Sequence, residues 1–223
     1  MEEKMNTKES KLVALTFDDG PNTTTTMQVL DKLEKYQVTA TFFLIGDCIT
    51  QASAGVSRQA CEMGCEIANH SKTHPDMSRL SAEEIKGEIA YTTEKIREIT
   101  GKEPAFFRPP YIALSKRLFD TVELPFICGH GAEDWEDSVS AQERARRILE
   151  ETRDGSIILL HDMEGNFRTV EALDQIIPTL LERGYTFVTV SQLFEQKQIV
   201  PRTDIARIYT NVYDETIYQE QEK

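Results

Sequence analysis

The 223-residue chain lacks any apolar run long enough to cross a membrane. Its most hydrophobic stretches, such as Ile157–Leu160, are strand-sized and far short of the roughly 20 residues a spanning helix needs. The first ten residues, MEEKMNTKES, carry no apolar core and no small-residue cleavage site, so no signal peptide is expected and residues 1–10 are expected to be disordered. Basic residues are in deficit, 25 against 38 acidic, which gives a net charge of −13 and a pI near 4.8. That field repels phosphate backbones and excludes a nucleic-acid partner, whereas an uncharged glycan is compatible with it. Cysteine is also scarce. Four in a chain of this length do not make a disulfide scaffold. Cys61 and Cys65 are four apart, but a helix end, Gly64 and a strand start separate them, so the sulfurs diverge and free buried thiols are expected. Aromatics are only 8%, yet the 39% hydrophobic content suffices for one core.

No repeat or low-complexity tract is present; apolar β-type runs alternate with helical periodicity from Lys11 to about Gln198. Strands are expected at 11–17, 39–45, 65–69, 105–108, 124–128, 156–161 and 186–190. Helices are expected at 24–36, with the Thr run as its N-cap, then 48–63, 81–100, 115–122, 141–152 and 168–183, and a last one capped by Ser191. The third helix opens with the capping box S-A-E-E at Ser81–Glu84 and stops at Gly101. Seven strands alternating with helices, most of them apolar on both faces, predict an α/β fold with a parallel sheet, either closed as a (β/α) barrel or left open. The expected division is one domain over 11–198 and a partly docked tail over 199–223, where Ile205, Ile208, Tyr209, Val212 and Tyr213 could face the body.

The polar clusters follow the strands. Asp18-Asp19-Gly20 ends the first, His70 and His74 follow the third, and Arg108 to Tyr111 ends the fourth. Asp134-Trp135 comes after the fifth, and His161-Asp162 ends the sixth. In a parallel barrel the C-terminal strand ends share the face where catalytic groups collect. The spacing H-x-x-x-H turns both imidazoles the same way on a helical turn or a curled loop. Alone it is weak, since such pairs also occur on surfaces. With a carboxylate from a neighbouring strand it makes a His₂–carboxylate set that leaves positions open for water and substrate. Zinc suits those ligands; cobalt, nickel or iron could also occupy them. Adjacent acids on a strand point to opposite faces unless the chain turns, and Gly20-Pro21 supplies a turn. One acid of the pair can then ligate the ion while the other takes a proton from water. His161 ends a run too apolar to hold a charge unaided; it could act as a general acid with Asp134 raising its pKa. His130 has no such support and reads as structural or exposed.

T-F-D-D-G-P at 16–21, N-H-S-K-T-H at 69–74, R-P-P-Y at 108–111, D-W at 134–135 and L-L-H-D at 159–162 resemble the ordered motifs of the polysaccharide deacetylases. This is the NodB-homology, or carbohydrate esterase family 4, domain. The likeness covers about Lys11 to Gln196, and connecting segments resemble clostridial-type members. It implies a distorted (β/α)₇ barrel in a single domain and a metal-dependent hydrolase. The expected reaction removes N-acetyl groups from N-acetylglucosamine glycans such as peptidoglycan or chitin oligomers. Acetyl xylan esterase action at the same site is the alternative, and a non-catalytic glycan-binding module a third reading. The resemblance assigns Asp18 as base, Asp19, His70 and His74 as metal ligands, and His161 as acid. Arg108 would orient Asp18, Asp134 would tune His161, and the Tyr111 N–H would hold the oxyanion. Tyr111, Trp135 and Leu159 would contact substrate. It implies an extracellular or cell-envelope setting, and a monomer is expected. Two positions depart from the pattern: Ile112 stands where Gly is common, and Gly131 where many members have Asp.

Overall fold

The computed structural model describes residues 11–219. The segment expected to be disordered, 1–10, lies outside the described residues. The strands are β1 (Lys11–Asp18), β2 (Thr41–Leu44), β3 (Glu66–Asn69), β4 (Phe126–Ile127), β5 (Ser156–His161), β6 (Tyr185–Val188), β7 (Arg207–Asn211) and β8 (Asp214–Ile217). The α-helices are α1 (Thr25–Tyr36), α2 (Ala54–Glu62), α3 (Ala82–Thr100), α4 (Lys116–Thr121), α5 (Ala141–Glu151), α6 (Phe167–Glu182) and α7 (Val190–Gln196).

β1 is central. Its side chains alternate between the two faces, as a strand's must. Val13, Leu15 and Phe17 join the core beneath helices α1, α5 and α6, while Leu12 and Ala14 join the inner cluster with Phe43, Ala68 and Ile157. The sheet runs β3-β2-β1-β5-β7-β4, with β6 pairing the first half of β1, and Phe107 bridges β3 and β4 at its two ends. This is an α/β single-domain fold of distorted-barrel type.

Three local expectations are corrected. The strand expected at 105–108 is reduced to the single bridging residue Phe107, because Pro104 precedes it and Pro109-Pro110 follow, and proline donates nothing to a ladder. Thr24 of the Thr run holds the N-cap position of α1, but its side chain makes no capping hydrogen bond; Asn22 Oδ1 instead accepts from the N–H groups of Thr24 and Thr26. Thr189, not Ser191, caps α7, in a capping box with Gln192. The capping box at Ser81 and the Gly101 stop of α3 are present as expected. The sequence pattern also gave no hint that β7 enters between β4 and β5, parallel to the former and antiparallel to the latter, with β8 folded back on it.

Candidate active site and metal centre

Pairing register brings the polar strand ends together. Asp18 lies level with Phe43 on β2 and with His161 on β5. The ladder then continues one step past each strand: His70 donates its N–H to the Leu44 carbonyl, Arg108 to Asn69 and Asp162 to Asp18, each at 3.0 Å. Functional side chains are therefore anchored by backbone hydrogen bonds where the sheet stops.

Asp18 follows Leu12, Ala14 and Thr16 on the inner face of β1 and is buried. Asp19 would point the other way, but its φ of 75° reverses the chain at that residue. Gly20 is obligatory beside it, since a Cβ there would stand 2.6 Å from Asp162 Oδ2. His70 and His74 lie on a curled loop with no helix, bent by left-handed φ values at Ser71 (67°) and His74 (56°). Glu88 on α3 fastens this loop by accepting the N–H groups of Lys72 and Thr73 at 2.9 and 2.8 Å. Of the eight non-glycine residues with positive φ among the described residues, six (Asp19, Ser71, His74, Tyr111, Ile112 and Glu133) belong to these strand-end loops, the usual place for stored backbone strain.

The His70 Nε2 and His74 Nε2 atoms stand 3.4 and 3.3 Å from Asp19 Oδ1. That oxygen is buried and receives no hydrogen bond of good geometry. His70 Nδ1 is engaged with the Arg108 carbonyl at 2.7 Å, which leaves Nε2 as its ligand atom. Ligand atoms of the three residues lie within 4.8 Å of one another, and no other such group occurs among the described residues. An orphaned carboxylate oxygen between two imidazole nitrogens is the donor set a divalent cation satisfies. Burial would raise the Asp19 pKa, but the imidazole of His70 and the charges of His70, His161 and His74 outweigh it and hold the carboxyl below its ordinary value. Burial, reinforced by His70, lowers the His74 pKa and favours the neutral, ligating imidazole.

Arg108, fully buried, donates from Nη1 to Asp18 Oδ1 at 2.5 Å and leaves Oδ2, 3.8 Å from His70 Nε2, on the metal side. His161 Nδ1 meets Asp134 Oδ1 at 2.8 Å, and the His161 N–H donates to Asp134 Oδ2 at the same distance. Burial alone would depress the His161 pKa. The Asp134 hydrogen bond and charge, with the charges of Asp18 and Asp19, instead raise it to about 9. Asp18, Asp19, His70, His74 and His161 line one cavity of about 620 Å³, as do Tyr111, Trp135 and Leu159; Arg108 and Asp134 act from behind it. The exposed Tyr111 ring packs edge-on against His74 at 4.6 Å, and Trp135 against His161 at 5.4 Å.

A profile of the polysaccharide deacetylases matches residues 5–124. The chain belongs to this family. It is 49% identical over 207 residues to a bifunctional xylanase/deacetylase of Pseudobutyrivibrio xylanivorans, covering 93% of the chain and 34% of that protein. It is 40% identical to a peptidoglycan-N-acetylmuramic acid deacetylase of Bacillus subtilis, covering 84% of the chain and 40% of that protein. The chain thus spans well under half the length of these two relatives. A solved structure of a family 4 acetyl xylan esterase from Clostridium thermocellum, in complex with a cobalt ion, superposes with a TM-score of 0.88 at 45% identity. It covers 91% of this chain and 99% of that one.

The family is one of hydrolytic deacetylases of acetylated polysaccharides. Residues that sequence reasoning missed stand behind the site. Arg144 is buried on α5 and donates to Asn166 Oδ1 at 2.6 Å and Thr169 Oγ1 at 2.9 Å; Thr169 in turn donates to Asp134 Oδ2 at 2.7 Å. The available signal was an arginine on the apolar face set by Ala141, Ala145 and Ile148. Asp162 is fully buried, and burial with the charges of Asp19 and Asp18 pushes its pKa up to about 7, against the Thr26 hydrogen bond. His130 is half-buried, with Nε2 3.2 Å from Thr152 Oγ1 and its pKa lowered to about 4 by desolvation, and takes no part in the cavity lining. All four cysteines are free.

Proposed function

We propose that this chain removes O-acetyl groups from xylan. The observation that carries the reading is that the Asp19, His70 and His74 ligand atoms converge in the cavity that also receives Asp18 and His161. The ester is put ahead of the amide, reversing the order expected from sequence. The xylanase/deacetylase and the acetyl xylan esterase are 49% and 45% identical to the chain, against 40% for the peptidoglycan deacetylase.

Asp19, His70 and His74 would hold a divalent cation, with zinc the ion this donor set suits best, and when bound it would polarise the acetyl carbonyl and acidify water. Asp18, its Oδ1 fixed by Arg108, accepts the proton of the attacking water at Oδ2 as the new C–O bond forms. The Tyr111 N–H donates to the developing oxyanion, a contact whose removal typically costs about 3 kcal/mol. His161, charged near neutrality and held through Nδ1 by Asp134, protonates the sugar oxygen from Nε2 as the acyl C–O bond breaks. Acetate and the free hydroxyl leave, Asp18 returns its proton to solvent and His161 is reprotonated. Tyr111 and Trp135 offer apolar faces to the sugar, and Leu159 closes the space around the acetyl methyl.

Acetate release from acetylated xylan, chitooligosaccharides and peptidoglycan, each with and without chelator, tests this. The expected result is chelator-sensitive turnover fastest on xylan. Faster release from the N-acetyl glycans would replace the ester reading, and chelator-resistant turnover would remove the metal.

A further inference from the structure

Ile112 stands in a backbone conformation that disfavours it. Its φ of 50° follows one of 58° at Tyr111, and for a β-branched residue the left-handed region is a genuine outlier that glycine would occupy freely. The turn is fastened at both sides. Ile112 N–H donates to the Pro109 carbonyl at 3.0 Å and Ala113 N–H to Pro110 at 3.1 Å. The half-buried Ile112 side chain lines the reaction cavity and packs against the apolar cluster of Met77, Phe107 and Leu118, each of them fully buried. A close-packed cluster of this kind does not yield to a side chain pushed against it. Strain, hydrogen bonding and packing together hold a branched side chain immobile at the cavity wall.

We propose that Ile112 is a specificity-determining residue for the sugar ring. It admits a xylopyranosyl unit, whose C5 bears no substituent, and turns away a hexopyranosyl unit carrying an exocyclic hydroxymethyl group. This rests on the reading of the site as a xylan deacetylase. The two rings differ by two heavy atoms, fewer than the four carbons of the isoleucine side chain. Tyr111 stands against His74 and Trp135 against His161, and Ile112, next to Tyr111 in the chain, lines the same cavity. Favourable contact with a smaller ring discriminates weakly, because the larger ring can make the same contacts. A wall that cannot retreat discriminates by exclusion.

The test compares O-acetylated xylooligosaccharides with O-acetylated cello-oligosaccharides, so that both substrates are esters and differ at C5. The readout is the ratio of their kcat/KM values, which cancels any loss common to both. Ile112→Gly is expected to shift the ratio towards the hexose ester by tenfold or more, Ile112→Ala by less, and Ile112→Val by less than threefold. Should Ile112→Gly fail to fold, the Ala and Val variants must still shift the ratio in order of side-chain volume. A ratio unchanged across folded variants, with a wild type that prefers the xylose ester, overturns the role of Ile112 alone. A wild type that prefers the hexose ester overturns the xylan reading and this inference with it.

Discussion

Asp134→Asn isolates the part of the site that depends most on charge. Asp134 is fully buried and accepts three hydrogen bonds at 2.8 Å or less, from His161 Nδ1, His161 N–H and Thr169 Oγ1. An asparagine can keep its oxygen towards the last two. Its NH₂ then faces Nδ1, which must give up its proton to accept, so His161 is left neutral with the hydrogen on Nε2. Raising the His161 pKa from 6.5 to about 9 corresponds to about 3 kcal/mol in favour of the imidazolium, at 1.36 kcal/mol per pH unit. A cation bound at Asp19 would offset the Asp18 and Asp19 contributions and leave Asp134 as the lasting cause. Without it, burial dominates and drives the pKa below 6.5. The variant therefore loses its general acid, a role worth about 10²–10⁴ in rate. The loss falls on acetylated xylooligosaccharides, whose sugar alkoxide must be protonated. It spares 4-nitrophenyl acetate, whose phenolate leaves unaided. Rate profiles in pH are the assay. The wild-type alkaline limb should fall above 6.5 on the sugar ester, held there by Asp134, and move below 6.5 in the variant. The stability linkage has the same sign: because folding raises this pKa, the wild-type contribution is full below 6.5 and is lost as pH rises through about 9. Equal losses on both esters, or an alkaline limb that does not move between wild type and variant, would refute the reasoning.

Asp18→Asn should bind zinc as the wild type does in calorimetric titration yet lose nearly all turnover; a wild-type rate would exclude Asp18 as the base. His70→Ala removes one of three ligands, and its zinc affinity should drop by at least tenfold in the same titration, with unchanged affinity counting against the assigned set. Chelator should abolish acetate release from the wild type and added zinc restore it, and a failure of restoration would point away from a simple ion site. Phe107→Ala should cost about 3–5 kcal/mol in urea unfolding, since the ring is fully buried against Phe126 and its backbone bridges β3 and β4. A loss below 1 kcal/mol would mean that this closure does not support the barrel.

Much of the architecture was legible because hydrophobic periodicity and end signals act locally. The capping box at Ser81, the Gly101 stop and the apolar run 156–161 each describe a few neighbouring residues, and each is present in the structure. The candidate site was legible for a related reason: three of the four histidines and the one Asp-Asp pair stand where strands end. The supporting layer was not legible. Nothing in the sequence spacing joins Arg144 to Asn166 and Thr169, or Glu88 to the loop at 72–73, because those contacts cross between elements.

The sequence by itself determined which residues alternate inward along β1, where helices start and stop, and which chemical groups stand at the strand ends; these follow from side-chain period, capping and turn chemistry. Only the tertiary structure decided the register that sets Asp18 level with His161, the left-handed residue that redirects Asp19 towards the imidazoles, and the entry of β7 between β4 and β5. The physical reason is range. Register and backbone strain are fixed by packing among segments far apart in the chain, and that free energy exists only once the segments have met.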